Sequence, residues 1–121
     1  MASILVIDSE PAIRTLLRGV FEGAGHTVTE ATNGREGVAQ YRQQPVDLVV
    51  TDIHMPELSG LDLILKLTSE FLNVKVIAIS GELGEDASAL DVAKRFGARQ
   101  TLRKPFSVKT LRSAVEYELA H

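Results

Sequence analysis

Short, nearly continuous apolar runs alternate along this chain with longer segments in which apolar residues recur every three or four positions. The runs are Ile4-Leu5-Val6-Ile7, Thr27-Val28-Thr29, Leu48-Val49-Val50-Thr51, Val74 with Val76-Ile77-Ala78-Ile79, and Gln100-Thr101-Leu102. The first, third and fourth are rich in β-branched residues and almost free of polar ones, the pattern of parallel strands buried on both faces. The second and fifth are shorter and more polar and belong at the edges of a sheet. Between the runs, Ile13, Leu16, Leu17, Val20 and Phe21 form a one-sided helical stripe. Pro11 stands in its first turn, where a missing N–H costs nothing, and Gly23 and Gly25 are placed to end it. Asn33 with Glu36, and Ser59 with Asp62, have the spacing of helix N-caps with a reciprocal acid. Leu61, Ile64 and Leu65 are expected inward on the third helix, and Leu90, Ala93 and Phe96 on the fourth, which Gly97 closes. Ser107 caps the fifth, with Val108, Leu111, Val115 and Leu119 inward. The longest irregular stretch runs from Ser80 to Glu85.

Alternating β and α elements with short links predict an α/β fold, a parallel sheet with helices on both faces. Ligands of such sheets bind beyond the carboxyl ends of the strands. The residues at those ends are Asp8, Asp52, Ser80 and the Arg103-Lys104-Pro105 turn. Two carboxylates, a hydroxyl and a lysine converging by topology suit a phosphoryl group and a cation. Plainer explanations exist for each: Asp8 has the place of an N-cap before Pro11, and Ser80 before Gly81 is a common turn pair.

Composition narrows the classes. With 121 residues, 45% of them hydrophobic, the chain suits one domain with one core. A net charge of −3 gives no reason to expect nucleic-acid or membrane binding by the whole domain. The absence of cysteine excludes disulfides, thiolate catalysis and cysteine–zinc sites. No apolar run approaches a membrane span, and Met1-Ala2-Ser3 lacks a basic region before the first apolar run, so no signal peptide is expected. A soluble cytoplasmic domain is the expectation.

Five motifs, in order, resemble the receiver domains of bacterial response regulators in two-component signal transduction, over essentially the whole chain. They are Ile4-Leu5-Val6-Ile7-Asp8-Ser9-Glu10-Pro11; Asp47-Leu48-Val49-Val50-Thr51-Asp52-Ile53-His54-Met55-Pro56 with Gly60; Val76-Ile77-Ala78-Ile79-Ser80-Gly81; Gly97-Ala98; and Lys104-Pro105-Phe106. The resemblance implies a doubly wound five-stranded sheet of the CheY-like, flavodoxin-like (βα)5 type, strand order 2-1-3-4-5, forming one receiver domain over residues 1–121. It implies that Asp52 is the phosphoacceptor, a nucleophile that forms an acyl phosphate. Lys104 and Ser80 would contact the phosphoryl group. A hard cation, Mg2+, would be held by Asp8, Asp52 and the His54 backbone carbonyl. It also suggests a cis peptide before Pro105. The implied partners are a sensor histidine kinase or a phosphotransfer protein. The implied output is a switch in partner binding rather than enzymatic turnover, beyond self-catalysed phosphotransfer and autodephosphorylation.

The sequence departs from the family's pattern at two places. Ser9 stands where a second acid is usual, so Mg2+ affinity is expected to fall, and Glu10 is a candidate compensating acid as well as an ordinary first-turn acid. Thr101 stands where an aromatic switch residue is frequent, so no aromatic rotamer change at that position is available. These departures favour an alternative, a phosphorylation-independent module that binds proteins through the same fold. Two enzyme classes fit less well: a flavodoxin wants a hydroxyl-rich loop after the first strand, and a haloacid-type phosphatase wants an acid where His54 follows Asp52. His54 is expected at the pocket rim, and His26, His121 and Tyr117 on the surface. From Lys94 to Arg112 come seven basic residues and no acid. They predict a basic face, which the resemblance implies would contact an effector or form a homodimer, without direct nucleic-acid binding.

Overall fold

The computed structural model describes residues 1–55, 58–81 and 88–121. Pro56 of the acceptor motif and residues 82–85 of the longest irregular stretch lie outside them. The elements alternate strictly: β1 (Ser3–Ile7), α1 (Pro11–Gly23), β2 (Thr27–Ala31), α2 (Gly34–Gln43), β3 (Leu48–Asp52), α3 (Gly60–Glu70), β4 (Val76–Ser80), α4 (Ser88–Arg95), β5 (Gln100–Arg103) and α5 (Val108–Ala120). All strand pairs are parallel, in the order β2-β1-β3-β4-β5. The three apolar runs make the centre, and the two polar ones, Thr27–Ala31 and Gln100–Arg103, the edges.

Because side chains alternate across a strand, each central strand feeds two cores. Leu5, Ile7, Val49, Val76 and Ala78 pack with Val38 and Tyr41 of α2, Leu63, Ile64 and Leu67 of α3, and Ala93 of α4. Ile4, Val6, Leu48, Val50, Ile77 and Ile79 pack on the other side with Leu17 and Phe21 of α1 and Leu111, Ala114 and Val115 of α5. The helix ends follow the sequence signals. Asn33, Ser59 and Ser107 accept from the N–H groups of Glu36, Asp62 and Thr110. Gly97, at φ +119, turns the chain after α4 as only glycine does without strain.

Three helix assignments are corrected. Leu16, Leu65 and Val108 are roughly half exposed instead of inward. Leu16 and Val108 flank the arcs their helices bury, and Leu65 lies nearly opposite the arc of Leu63, Ile64 and Leu67. The expectation for His26 is also overturned: it is buried. Its Nδ1 accepts from the Ala2 N–H at 3.1 Å and its Nε2 lies 2.9 Å from Glu116 Oε2. With Nδ1 accepting, the proton of the neutral ring belongs on Nε2, donating to the carboxylate. Gly25, at φ +93, makes the turn that brings this ring between the start of β1 and α5. His121 and Tyr117 are exposed and stack, ring centroids 4.0 Å apart. Among the described residues no helix is long and apolar enough to cross a membrane.

Candidate functional site

At the carboxyl end of the sheet, three neighbouring strands deliver polar side chains to one place. Asp52 is the last residue of β3 and is buried. Its Oδ1 accepts from the His54 N–H at 3.1 Å. Asp8 follows β1 directly and is buried too; its N–H continues the ladder to the Ala31 carbonyl at 3.2 Å. Ser80 ends β4, buried, and its carbonyl accepts from the Lys104 N–H at 3.0 Å. That bond sets the turn after β5, where the Lys104–Pro105 peptide is cis. From it the Lys104 side chain reaches back, its Nζ 3.8 Å from Asp8 Oδ2 and 3.7 Å from Glu10 Oε1.

The N-cap reading of Asp8 is replaced by a related arrangement. Glu10 occupies the cap position of α1 without a side-chain cap. Asp8 Oδ1 instead accepts the Glu10 N–H at 2.8 Å, closing the turn between strand and helix. Asp8 Oδ2 is buried without a hydrogen-bond donor. Burying a carboxylate raises its pKa because the charged form loses water. Asp8 lies above the ordinary value, first through burial and then through repulsion from Asp52, against the Glu10 N–H and the Lys104 charge. Asp52 is raised as well, through burial, with the His54 N–H, Lys104 and the His54 ring pulling the other way.

A group protonated more readily when folded than when unfolded weakens the fold at neutral pH, and the penalty fades as pH falls from the raised folded value toward the unfolded one. Asp52→Asn keeps an oxygen for the His54 N–H and removes the disfavoured charge. It is expected to stabilise the protein by about 1 kcal/mol, roughly 4 °C in Tm, at neutral pH. Thermal melts followed by circular dichroism check this; the gain should shrink on acidification, and a variant that melts lower at neutral pH would contradict the assignment.

Ser9 is exposed and Thr101 half-buried, and both are neutral hydroxyl residues that add no charge or aromatic ring here. His54 is exposed at the rim. Among the described residues no group of three or more His, Cys, Asp or Glu forms a metal cluster. The converging acidic donors are Asp8 and Asp52, whose oxygens suit a hard cation, and the orphaned Asp8 Oδ2 is a buried acceptor that such a cation would satisfy. Of the basic run, Lys94, Arg95, Arg99, Arg103, Lys109 and Arg112 are exposed. Lys104 is turned into the site, and Arg99 lies 3.8 Å from the buried Glu118. A cavity of about 300 Å³ at the opposite end of the sheet is lined by Ser3, Thr27, Thr29, Gln40 and Gln43 among others, with no titratable group. Missed from sequence is Arg14, whose Nη1 donates to the Asp8 carbonyl at 2.6 Å; an arginine one turn into the helix that follows Asp8 was the available signal.

This fold and this set of residues define a class of protein. The chain belongs to the response regulator receiver domain family, which it matches over residues 4–116. It is 36% identical over 104 residues to the chemotaxis protein CheY of Thermotoga maritima, covering 85% of each chain. It is 35% identical over 120 residues to protein PilH of Pseudomonas aeruginosa, covering 99% of each. Among solved structures, a response regulator receiver domain protein from Clostridium thermocellum superposes with a TM-score of 0.92 at 30% identity, covering 99% of this chain and 95% of that one.

Proposed function

We propose that this receiver is a phosphoacceptor switch in which Asp52 takes a phosphoryl group from a histidine kinase or a phosphotransfer protein. The observation that carries the reading is the buried Asp52 carboxylate at the end of a central strand, beside Asp8 and within the field of Lys104. An Asp52 oxygen attacks phosphorus while the bond from phosphorus to the donor breaks, the electron pair leaving with the donor. The product is an acyl phosphate. Water attacking phosphorus later returns the carboxylate and inorganic phosphate, so turnover is self-catalysed and the chain is not an enzyme acting on a separate substrate.

Because the transferring group is loose and highly charged, the protein's task is placement and neutralisation. Lys104 supplies a point charge to the phosphoryl oxygens, and the Ser80 hydroxyl donates to them once they arrive. Asp8, Asp52 and the His54 main-chain carbonyl would hold Mg2+, which would supply positive charge to offset the negative charge gathered at the site. Glu10, sharing Lys104 with Asp8, is the acid that stands in for Ser9, and one carboxylate exposed to water makes a weaker site than two buried ones. With Thr101 in place of an aromatic, the signal would run through Ser80 at the end of β4. The exposed basic residues of α4, β5 and α5 would receive an effector or a second copy of the chain, in the cytoplasm.

Incubation with acetyl phosphate and Mg2+ should add about 80 Da, the mass of one phosphoryl group, and Asp52→Ala should abolish the gain. No gain at high metal concentration would overturn the reading, and partner binding indifferent to Asp52→Ala would mark a phosphorylation-independent module instead.

A further inference from the structure

Asp8 is held at every polar group but one. Its N–H donates to Ala31, its Oδ1 accepts from the Glu10 N–H, and its carbonyl accepts from Arg14 Nη1 at 2.6 Å. The exception is Oδ2, the buried oxygen that faces Lys104. The carbonyl lies just past the last ladder pairs of β1, at Ile7. Three residues on, Pro11 has no N–H to give it. Among the described residues no backbone N–H is bonded to it, and the donor it has is the Arg14 side chain. Arg14 is itself anchored: its Nε donates to Glu30 Oε1 at 3.1 Å, and its side chain is only 14% exposed. Glu30 belongs to β2, and its other oxygen lies 2.8 Å from Arg18 Nε.

We propose that Arg14 is a positioning residue of the phosphorylation site: by tying the Asp8 peptide to β2 it aims Oδ2 at the place of the cation and the phosphoryl group. The inference rests on the phosphoacceptor reading and adds to it a residue that lies outside the pocket. It matters more in this chain than where two acids follow β1, because Ser9 is neutral and exposed and the Glu10 side chain is 64% exposed. Asp8 is then the carboxylate of this turn whose direction is fixed, and Arg14 fixes it. The geometry calls for a guanidinium, whose planar fork holds a carbonyl and a carboxylate at once; an ammonium on a flexible stem keeps the charge but not the fork.

The test compares Arg14→Lys with Arg18→Lys in the full chain. Arg18 is a matched control, since it holds the same Glu30 and the Val28 carbonyl but does not touch Asp8. Without metal, hydrogen exchange of the Glu10 amide reports the Asp8 turn directly. With Mg2+ alone, a titration followed by amide resonances gives the dissociation constant. Arg14→Lys is expected to speed Glu10 exchange and weaken Mg2+ binding, each about tenfold, as losses of groups that orient metal ligands do. Arg18→Lys should leave both within about twofold, even where the two variants lose similar thermal stability. Arg14→Lys indistinguishable from wild type in both measurements would overturn the proposal. So would parallel changes in both variants that track their melting temperatures, the signature of a merely structural role. If the wild type takes up no Mg2+, the metal part of the phosphoacceptor reading fails, while Glu10 exchange still decides for or against Arg14.

Discussion

Gly60→Ala is expected to cost about 3 kcal/mol of stability and to disturb the acceptor's own peptide. A β-carbon at position 60 would stand 2.2 Å from the Asp52 carbonyl oxygen, 2.4 Å from Ile53 Cα and 2.9 Å from the Asp52 carbonyl carbon. These are backbone atoms, which cannot rotate aside as a side chain does. Either α3 backs away from β3, breaking the Gly60 N–H bond to the Ile53 carbonyl at 3.1 Å, or the Asp52–Ile53 peptide moves and the carboxylate with it. The gain in helix propensity on replacing glycine, about 1 kcal/mol, is too small to offset this. Gly37→Ala is the informative comparison. Its β-carbon would meet Ile7 Cδ1 at 2.4 Å, the far end of a flexible side chain, and about 1 kcal/mol is expected there. Urea denaturation of both variants checks the difference. Equal midpoints would show that the close approach of α3 to the acceptor strand does not limit packing.

The close approach at Gly60 also shows where sequence reading stops. The glycine is visible in the motif, but the atoms it avoids are seven and eight positions away, and only the fold brings them together. Which strands are central and which are edges was legible because burial on both faces leaves few polar residues: Ile4–Ile7 and Val76–Ile79 read as central, whereas Thr27-Val28-Thr29 reads as an edge; the full order came with the family resemblance. The convergence of Asp8, Asp52, Ser80 and Lys104 was legible for a topological reason, since a parallel sheet sends the carboxyl ends of its strands to one side. Helix faces were less so. Periodicity gives a direction for a stripe but not the width of the arc a sheet covers, which is why Leu16 and Val108, at the flanks of their arcs, are exposed, whereas Leu65 lies off the buried face altogether. Pairings between distant segments left no local trace. His26 meets Ala2 and Glu116, 24 and 90 residues away, and Arg14 meets Glu30, 16 away. A polar residue whose partner is remote in sequence looks like a surface residue until the fold is known.

Lys104→Ala is expected to slow phosphorylation by acetyl phosphate about 100-fold, the usual loss on removing a preorganised electrostatic contact to a transition state. Lys104 carries the ion pairs of both Asp8 and Glu10 and pulls on Asp52. Without it the acids face one another unopposed, and a doubly charged phosphoryl donor must approach an uncompensated negative site. The same loss pushes Asp8 and Asp52 further above the ordinary carboxylate range, since the attraction of Lys104 lowers both. Asp52 attacks only when ionised. The rate of the variant should therefore begin to fall at a higher pH than the wild-type rate as the solution is acidified. Lys104→Arg keeps the charge and should recover part of the rate, but its wide planar head is poorly matched to a point-charge role. Glu10→Gln, which leaves Lys104 to Asp8 but removes the exposed acid that stands in for Ser9, should lower the rate less than Lys104→Ala does. Initial rates from intact-mass measurements across the neutral to acid range decide the matter. A Lys104→Ala rate within about threefold of wild type, with an unmoved pH profile, would mean that the phosphoryl group is neutralised by something other than this lysine.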